Sequence, residues 1–178
     1  MSTLDYVLIA TTVVLAAIIV VGAAFWRRRP PRRLPVRPGA RRILVPFTGE
    51  LDPTVLAAAI RIARAEDAVL VPAYLLVVPL QYAEDSPQRD NVAKAMPLLE
   101  AVELEALRAD VPVDARIEKG RTLTHALSRL WDVERFDRIV VPAPSNGHGG
   151  FTEKQLVWLL SNAPAETLVL KPAPPLAA

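Results

Sequence analysis

Three glycines within four residues, Gly147, Gly149 and Gly150, followed by a helix-start pattern at Thr152, are the nearest thing in this sequence to an anion-binding loop. Glycine lets backbone N–H groups approach phosphate oxygens with no Cβ in the way, and a helix beginning just afterwards adds the positive end of its dipole. Lys119, Arg121 and Lys154 supply charge from the same or neighbouring loops. The signal is weak, because three glycines before a helix also describe a plain connection, and Glu153 in the first turn opposes phosphate where the dipole attracts it. Catalytic chemistry has less to stand on. There is no cysteine, and the two histidines, His125 and His148, form no metal-ligand spacing with each other or with a carboxylate. Ser145 and Ser161 lack the glycine-flanked elbow of a nucleophilic serine. The chain is therefore read as non-catalytic. Trp158 falls off the apolar face of its predicted helix, and an exposed aromatic residue marks a docking surface.

The segments that carry these residues differ sharply in charge. Of the 178 residues, the first 26 contain one charged side chain, Asp5; residues 27–42 contain eight arginines and no acid; residues 43–178 contain 13 bases and 18 acids. The net charge of +2 thus conceals an acidic body behind a basic strip, and an acidic body without aromatic and basic interleaving argues against nucleic acid as a partner.

From Tyr6 to Trp26 the chain is uncharged and rich in Val, Leu, Ile and Ala. At 1.5 Å per residue a helix of that length spans about 31 Å, the thickness of a bilayer's hydrocarbon core. Tyr6 and Trp26 stand at its ends, where amphipathic rings favour the headgroup level, and Arg27, Arg28 and Arg29 follow it. A cleaved leader would carry its positive charge before the apolar run, not after it. The reading is an N-terminal transmembrane anchor over 1–26 with its N-terminus outside and the body cytoplasmic. Residues 27–41 form a basic linker whose prolines forbid helix, so Arg32 and Arg33 join the preceding arginines against anionic lipid. The excess of 17 arginines over four lysines points to a GC-rich bacterial genome, hence a bacterial inner membrane.

Beyond Arg42, short β runs alternate with helical periodicity. Strands are predicted at Ile43–Pro46, Val69–Val78 with its character broken by Pro72, Val113–Glu118, Arg138–Val141 and Thr167–Leu170. Helices are predicted after the Asp52–Pro53 cap, over about Asn91–Ala109 with Pro97 inside its first turns or marking its start, over Thr122–Glu134, and after the Thr152/Gln155 capping box, the last carrying Leu156, Val157, Leu159 and Leu160 inward. Such alternation gives an α/β fold, a five-stranded parallel sheet with helices on both faces, preceded by the one transmembrane helix. Residues 42–172 form this body, and 173–178 a short tail.

The phrases ILVPFTGELDPTVLAAAIRIARA, EKGRTLTHALSRLWDVERFDRIVVP and NAPAETLVLKP within this body resemble the universal stress protein domain. The resemblance implies that Rossmann-like sheet, and in nucleotide-binding members an acidic residue after the first strand and a glycine phosphate loop. Here Thr48 stands at the acidic position, Pro142 and Ser145 at the first two glycines, and Glu153 or Gln155 at the third. The conventional ATP site is thus expected to be lost. Any remnant would draw on Thr48, Lys119, Arg121, Gly147, Gly149 and Gly150. Homodimerisation through the last strand is common in proteins of this kind but is not favoured here, because Glu166–Leu170 is short. The functional expectation is a membrane-anchored accessory module whose partners are lipids and integral membrane subunits; the alternative is an ATP-responsive regulator of a membrane partner.

Overall fold

The computed structural model describes residues 39–144 and 150–171. Five strands form one parallel sheet: β1 (Arg42–Phe47), β2 (Val69–Val77), β3 (Arg116–Gly120), β4 (Arg138–Pro142) and β5 (Glu166–Leu170), in the order β3-β2-β1-β4-β5. Between them run α1 (Pro53–Ala65), α2 (Arg89–Arg108), α3 (Leu123–Val133) and α4 (Glu153–Asn162). Successive strand residues face opposite sides, so the sheet feeds two cores. Ile43, Val45, Leu70 and Val140 pack under α1 and α2, whereas Leu44, Val69, Val71, Ile139 and Val141 pack under α3 and α4.

Local chemistry sets the helix ends as the sequence indicates. The Asp52 carboxylate accepts from the N–H of Thr54 at 2.7 Å, with Pro53 at the first helical position. Thr152 and Gln155 close a reciprocal capping box. Both α1 and α2 end in the same way: one residue past each cap, Asp67 and Asp110 adopt left-handed backbone (φ 49° and 57°), and the next N–H bonds back to the carbonyl of Ala63 or Ala106.

Of two prolines, Pro97 follows one of its two expected readings and Pro72 departs from its own. Pro97 lies inside α2, which begins a full two turns earlier at Arg89; tertiary burial of Ala95, Leu99 and Val102 holds the helix despite the lost N–H. Pro72 does not break β2, which runs through it. It interrupts the partner instead. Leu70 directs both its N–H and its C=O to the β3 side, toward Pro112 and Asp114, so two residues on, Pro72 meets that side with no N–H to give. Pairing with the third strand is an isolated Leu70–Val113 bridge, then a gap, then the ladder from Ala73–Arg116 onward. The third strand therefore starts at Arg116, not Val113.

Helix α4 requires a second correction. Leu156 and Leu159 are buried, but Val157 and Leu160 are 63% and 54% exposed. Trp158, expected to be exposed, is half-buried because its indole stacks on Trp131 of α3 (centroids 5.6 Å apart, planes at 18°). The predicted anchor over 1–26, with Tyr6, Trp26 and Arg27, Arg28 and Arg29, and the linker arginines Arg32 and Arg33 lie outside the described residues. Among the described residues no helix is long and apolar enough to cross a membrane.

Candidate functional site

In a parallel sheet of this order the chain reverses direction between β1 and β4, and ligands of such folds sit beyond the carboxyl ends of those two strands. Here that crevice is bordered by Thr48 and Gly49 after β1 and by Ala143 after β4. Thr48 is half-buried and Gly49 has φ 68°. The N–H of Ala143, one candidate donor for an anion, is already bonded to Leu170 O at 2.7 Å. Pro142, the last residue of β4, has no N–H to offer. Gly150 is half-buried and leads into Phe151, which is buried in the core under α4. Gly147 and Gly149 lie outside the described residues, as do Ser145 and His148.

The structure does not bring Lys119 and Arg121 to this crevice. They belong to the end of β3, an edge strand separated from β1 by β2; two strand spacings place them about 10 Å from it. Both cations are engaged there in holding the β2–α2 loop. The Arg121 guanidinium donates to the carbonyls of Pro79 (2.8 Å) and Tyr82 (2.9 Å), with a longer contact to Val78 (3.4 Å). The Lys119 ammonium donates to Ser86 O at 3.0 Å. The loop answers with Glu84, whose carboxylate lies 3.1 Å from Arg129 and 3.8 Å from Arg121. His125 belongs to the same cluster: its Nδ1 accepts the Arg121 N–H at 3.2 Å while its own N–H donates to Thr122 Oγ1. With its lone pair so used, Nδ1 forms no salt bridge with the Glu84 oxygen 3.5 Å away.

Gly120 makes this arrangement possible. A Cβ on it would stand 2.5 Å from the N of Ala126 and 2.9 Å from its Cα, so the glycine of the β3–α3 turn serves close packing of strand end against helix. Sequence reasoning missed the loop clamp. Its visible signal was the cluster Glu84, Arg121 and Arg129, but nothing in their spacing says that residues 37 to 45 apart meet.

A second charged cluster, also unforeseen, lies at the opposite end of the sheet, where strands begin. Arg42 and Arg116 share Asp114 (2.5 and 2.9 Å) and Glu134 (both 2.9 Å). The contacts to Glu134 are close in distance but off-line for hydrogen bonding, whereas those to Asp114 are aligned. Partial burial pushes the Asp114 carboxyl up, but the hydrogen bonds from Arg116 and Arg42 outweigh it and hold it below the usual carboxylate range. Alongside, Arg138 bridges Glu66 and Glu166, whose hydrogen bond and charge raise it above the ordinary guanidinium value. The cluster joins the starts of β1, β3, β4 and β5 and is filled by its own counter-charges. Among the described residues no group of three or more His, Cys, Asp or Glu side chains is arranged to hold a metal ion.

At the described end of β4 the N–H is missing at Pro142 and bonded at Ala143, and Lys119 and Arg121 are committed to backbone carbonyls of the β2–α2 loop.

No protein-family model and no curated protein sequence matches the chain. Solved structures do. A universal stress protein in complex with cAMP is 19% identical with a TM-score of 0.58, aligned over 74% of this chain and 97% of its own. The universal stress protein from Archaeoglobus fulgidus is 12% identical with a TM-score of 0.56, over 72% and 97%. A universal stress protein family member from Arabidopsis thaliana with AMP bound is 17% identical with a TM-score of 0.55, over 75% and 92%. The body thus has a universal stress protein-like α/β fold, and at these identities the likeness extends to fold alone.

Proposed function

We propose that this chain is a non-catalytic, membrane-anchored interaction module: a universal stress protein-like body, without a conventional nucleotide site, tethered by its N-terminal apolar run to the cytoplasmic side of a larger membrane assembly as an accessory subunit. The observation that carries this reading is the engagement of Arg121 and Lys119 by carbonyls of the β2–α2 loop, which takes these two cations away from any anion at the crevice. Support for docking comes from α4 and its neighbour. The Trp131–Trp158 stack forms a rigid aromatic pair, and Val157 and Leu160 on α4 and Val133 (83% exposed) on α3 leave apolar side chains in solvent. The uncharged run at 6–26 followed by arginines supports the tether and its sidedness. Integral membrane subunits and lipid are the partners this reading requires.

The test is extraction of the full chain from its native membrane in mild detergent. The account expects it to migrate in a complex larger than a monomer, and expects Val157→Glu plus Leu160→Glu, at two exposed positions, to release it. Migration as a lone monomer contradicts the accessory-subunit reading.

One observation favours a second reading. Two of the similar structures hold adenine nucleotides, cAMP in one and AMP in the other, so a nucleotide-responsive regulator binding ATP through Thr48 and the Gly147–Gly150 loop is the alternative. Saturable ATP binding distinguishes it.

A further inference from the structure

Helices α1 and α2 cover one face of the sheet without closing on each other. Between them runs a groove of about 700 Å³, a volume typical of small-molecule sites. Leu56 and Ile60 of α1 and Leu98 and Val102 of α2 line it, with Ala57 and Ala101 at its lips. Its polarity is graded. Apolar side chains occupy most of its length, and charge is confined to Arg64, Glu105 and Arg108, toward the end where both helices finish.

Of these three, Arg108 and Glu105 pair with each other at 2.5 Å. Arg64 has no ion-pair partner among the described residues. The rim therefore carries one uncompensated guanidinium beside an open apolar channel. Its complement is an elongated molecule, apolar along its length and anionic at one end. A guanidinium fork matches a carboxylate in two parallel hydrogen bonds, and a flexible hydrocarbon chain gains from every methylene the groove removes from water.

We propose that the α1/α2 groove binds one long-chain fatty acid, with its carboxylate on Arg64 and its chain along Leu56, Ile60, Leu98 and Val102. This site lies on the face of the sheet opposite the Trp131–Trp158 stack and uses none of the residues assigned to docking or to the loop clamp.

The experiment uses the purified full chain in nonionic detergent with palmitate bearing a photoactivatable diazirine in its chain, followed by irradiation, digestion and mass spectrometry. Labelling is expected on peptides from α1 and α2. Ala57→Trp and Ala101→Trp, each at an exposed lip position and each verified as folded by circular dichroism, are expected to cut that labelling by about tenfold or more by filling the groove. Arg64→Glu is expected to reduce palmitate labelling about tenfold while leaving labelling by the matching photoactivatable alcohol unchanged. Labelling within residues 42–171 that falls outside these helices, or groove labelling unaffected by both tryptophans, overturns the proposal. Equal labelling of the groove by a photoactivatable phosphatidylcholine overturns it as well, since the site then takes acyl chains without a carboxylate.

Discussion

Arg121 donates to the carbonyl oxygen of Tyr82 at 2.9 Å, joining the β3–α3 turn to the loop that follows β2 across 39 residues of sequence. Together with the bond to Pro79 it replaces water around a stretch of loop backbone that forms no ladder of its own. Arg121→Ala is expected to cost about 1–2 kcal/mol, since charged donors are shared here with solvent and not fully buried. Amide hydrogen exchange over residues 79–88 should accelerate while β1 and β4 stay protected. Unchanged exchange in the loop would show that the clamp holds nothing.

Gly120→Ala is expected to be the most damaging single methyl in the body. The added Cβ meets backbone, the N and Cα of Ala126, at 2.5 and 2.9 Å, and backbone at a helix start cannot move aside as a side chain can. A loss of about 3 kcal/mol in chemical denaturation is predicted. A variant of wild-type stability would mean that α3 can shift without cost.

The fold was largely legible because its signals are local. Alternation of short β runs with capped helices, Asp52–Pro53 and Thr152/Gln155 among them, gave strand count, helix count and parallel pairing. The failures have physical causes. Pro72 marked a break correctly, but the missing N–H faces β3, so the gap opened in the neighbour's ladder and not in β2 itself. On α4, periodicity placed Val157 and Leu160 inward, but Trp158 reaches across to Trp131 and the stack fixes the helix with those two residues outward. Of the candidate site residues, Gly147 and Gly149 lie outside the described residues. That Lys119 and Arg121 serve a distant loop depends on strand order, which no spacing in the sequence reveals.

The strand-start cluster predicts a pH dependence of defined sign. Asp114 titrates below its ordinary value in the folded protein, so the folded state holds its proton less readily than the unfolded chain. Its contribution is complete above the unfolded value near pH 4 and is lost as pH falls through the lower folded value. The stability difference between the wild type and Asp114→Asn should therefore be constant from about pH 5 to 7 and shrink below about pH 4. A difference independent of pH, or one growing in acid, contradicts the assignment.

Asp110 pays a conformational cost at φ 57° that glycine would avoid. Asp110→Gly is expected to match or exceed wild-type stability by about 0.5 kcal/mol, and Asp110→Val to lose about 1–2 kcal/mol, because a β-branched side chain resists left-handed backbone. Thermal melts of the two variants side by side measure this; equal melts would place the strain elsewhere.

The central claim is the proposal that this universal stress protein-like body lacks a conventional nucleotide site and works by docking. Titration calorimetry of ATP into the purified full chain tests it most directly. The account predicts no saturable heat at ATP concentrations up to about 1 mM, a ceiling on affinity of about 4 kcal/mol. Saturable micromolar binding that disappears in Gly147→Val plus Gly149→Val would contradict it.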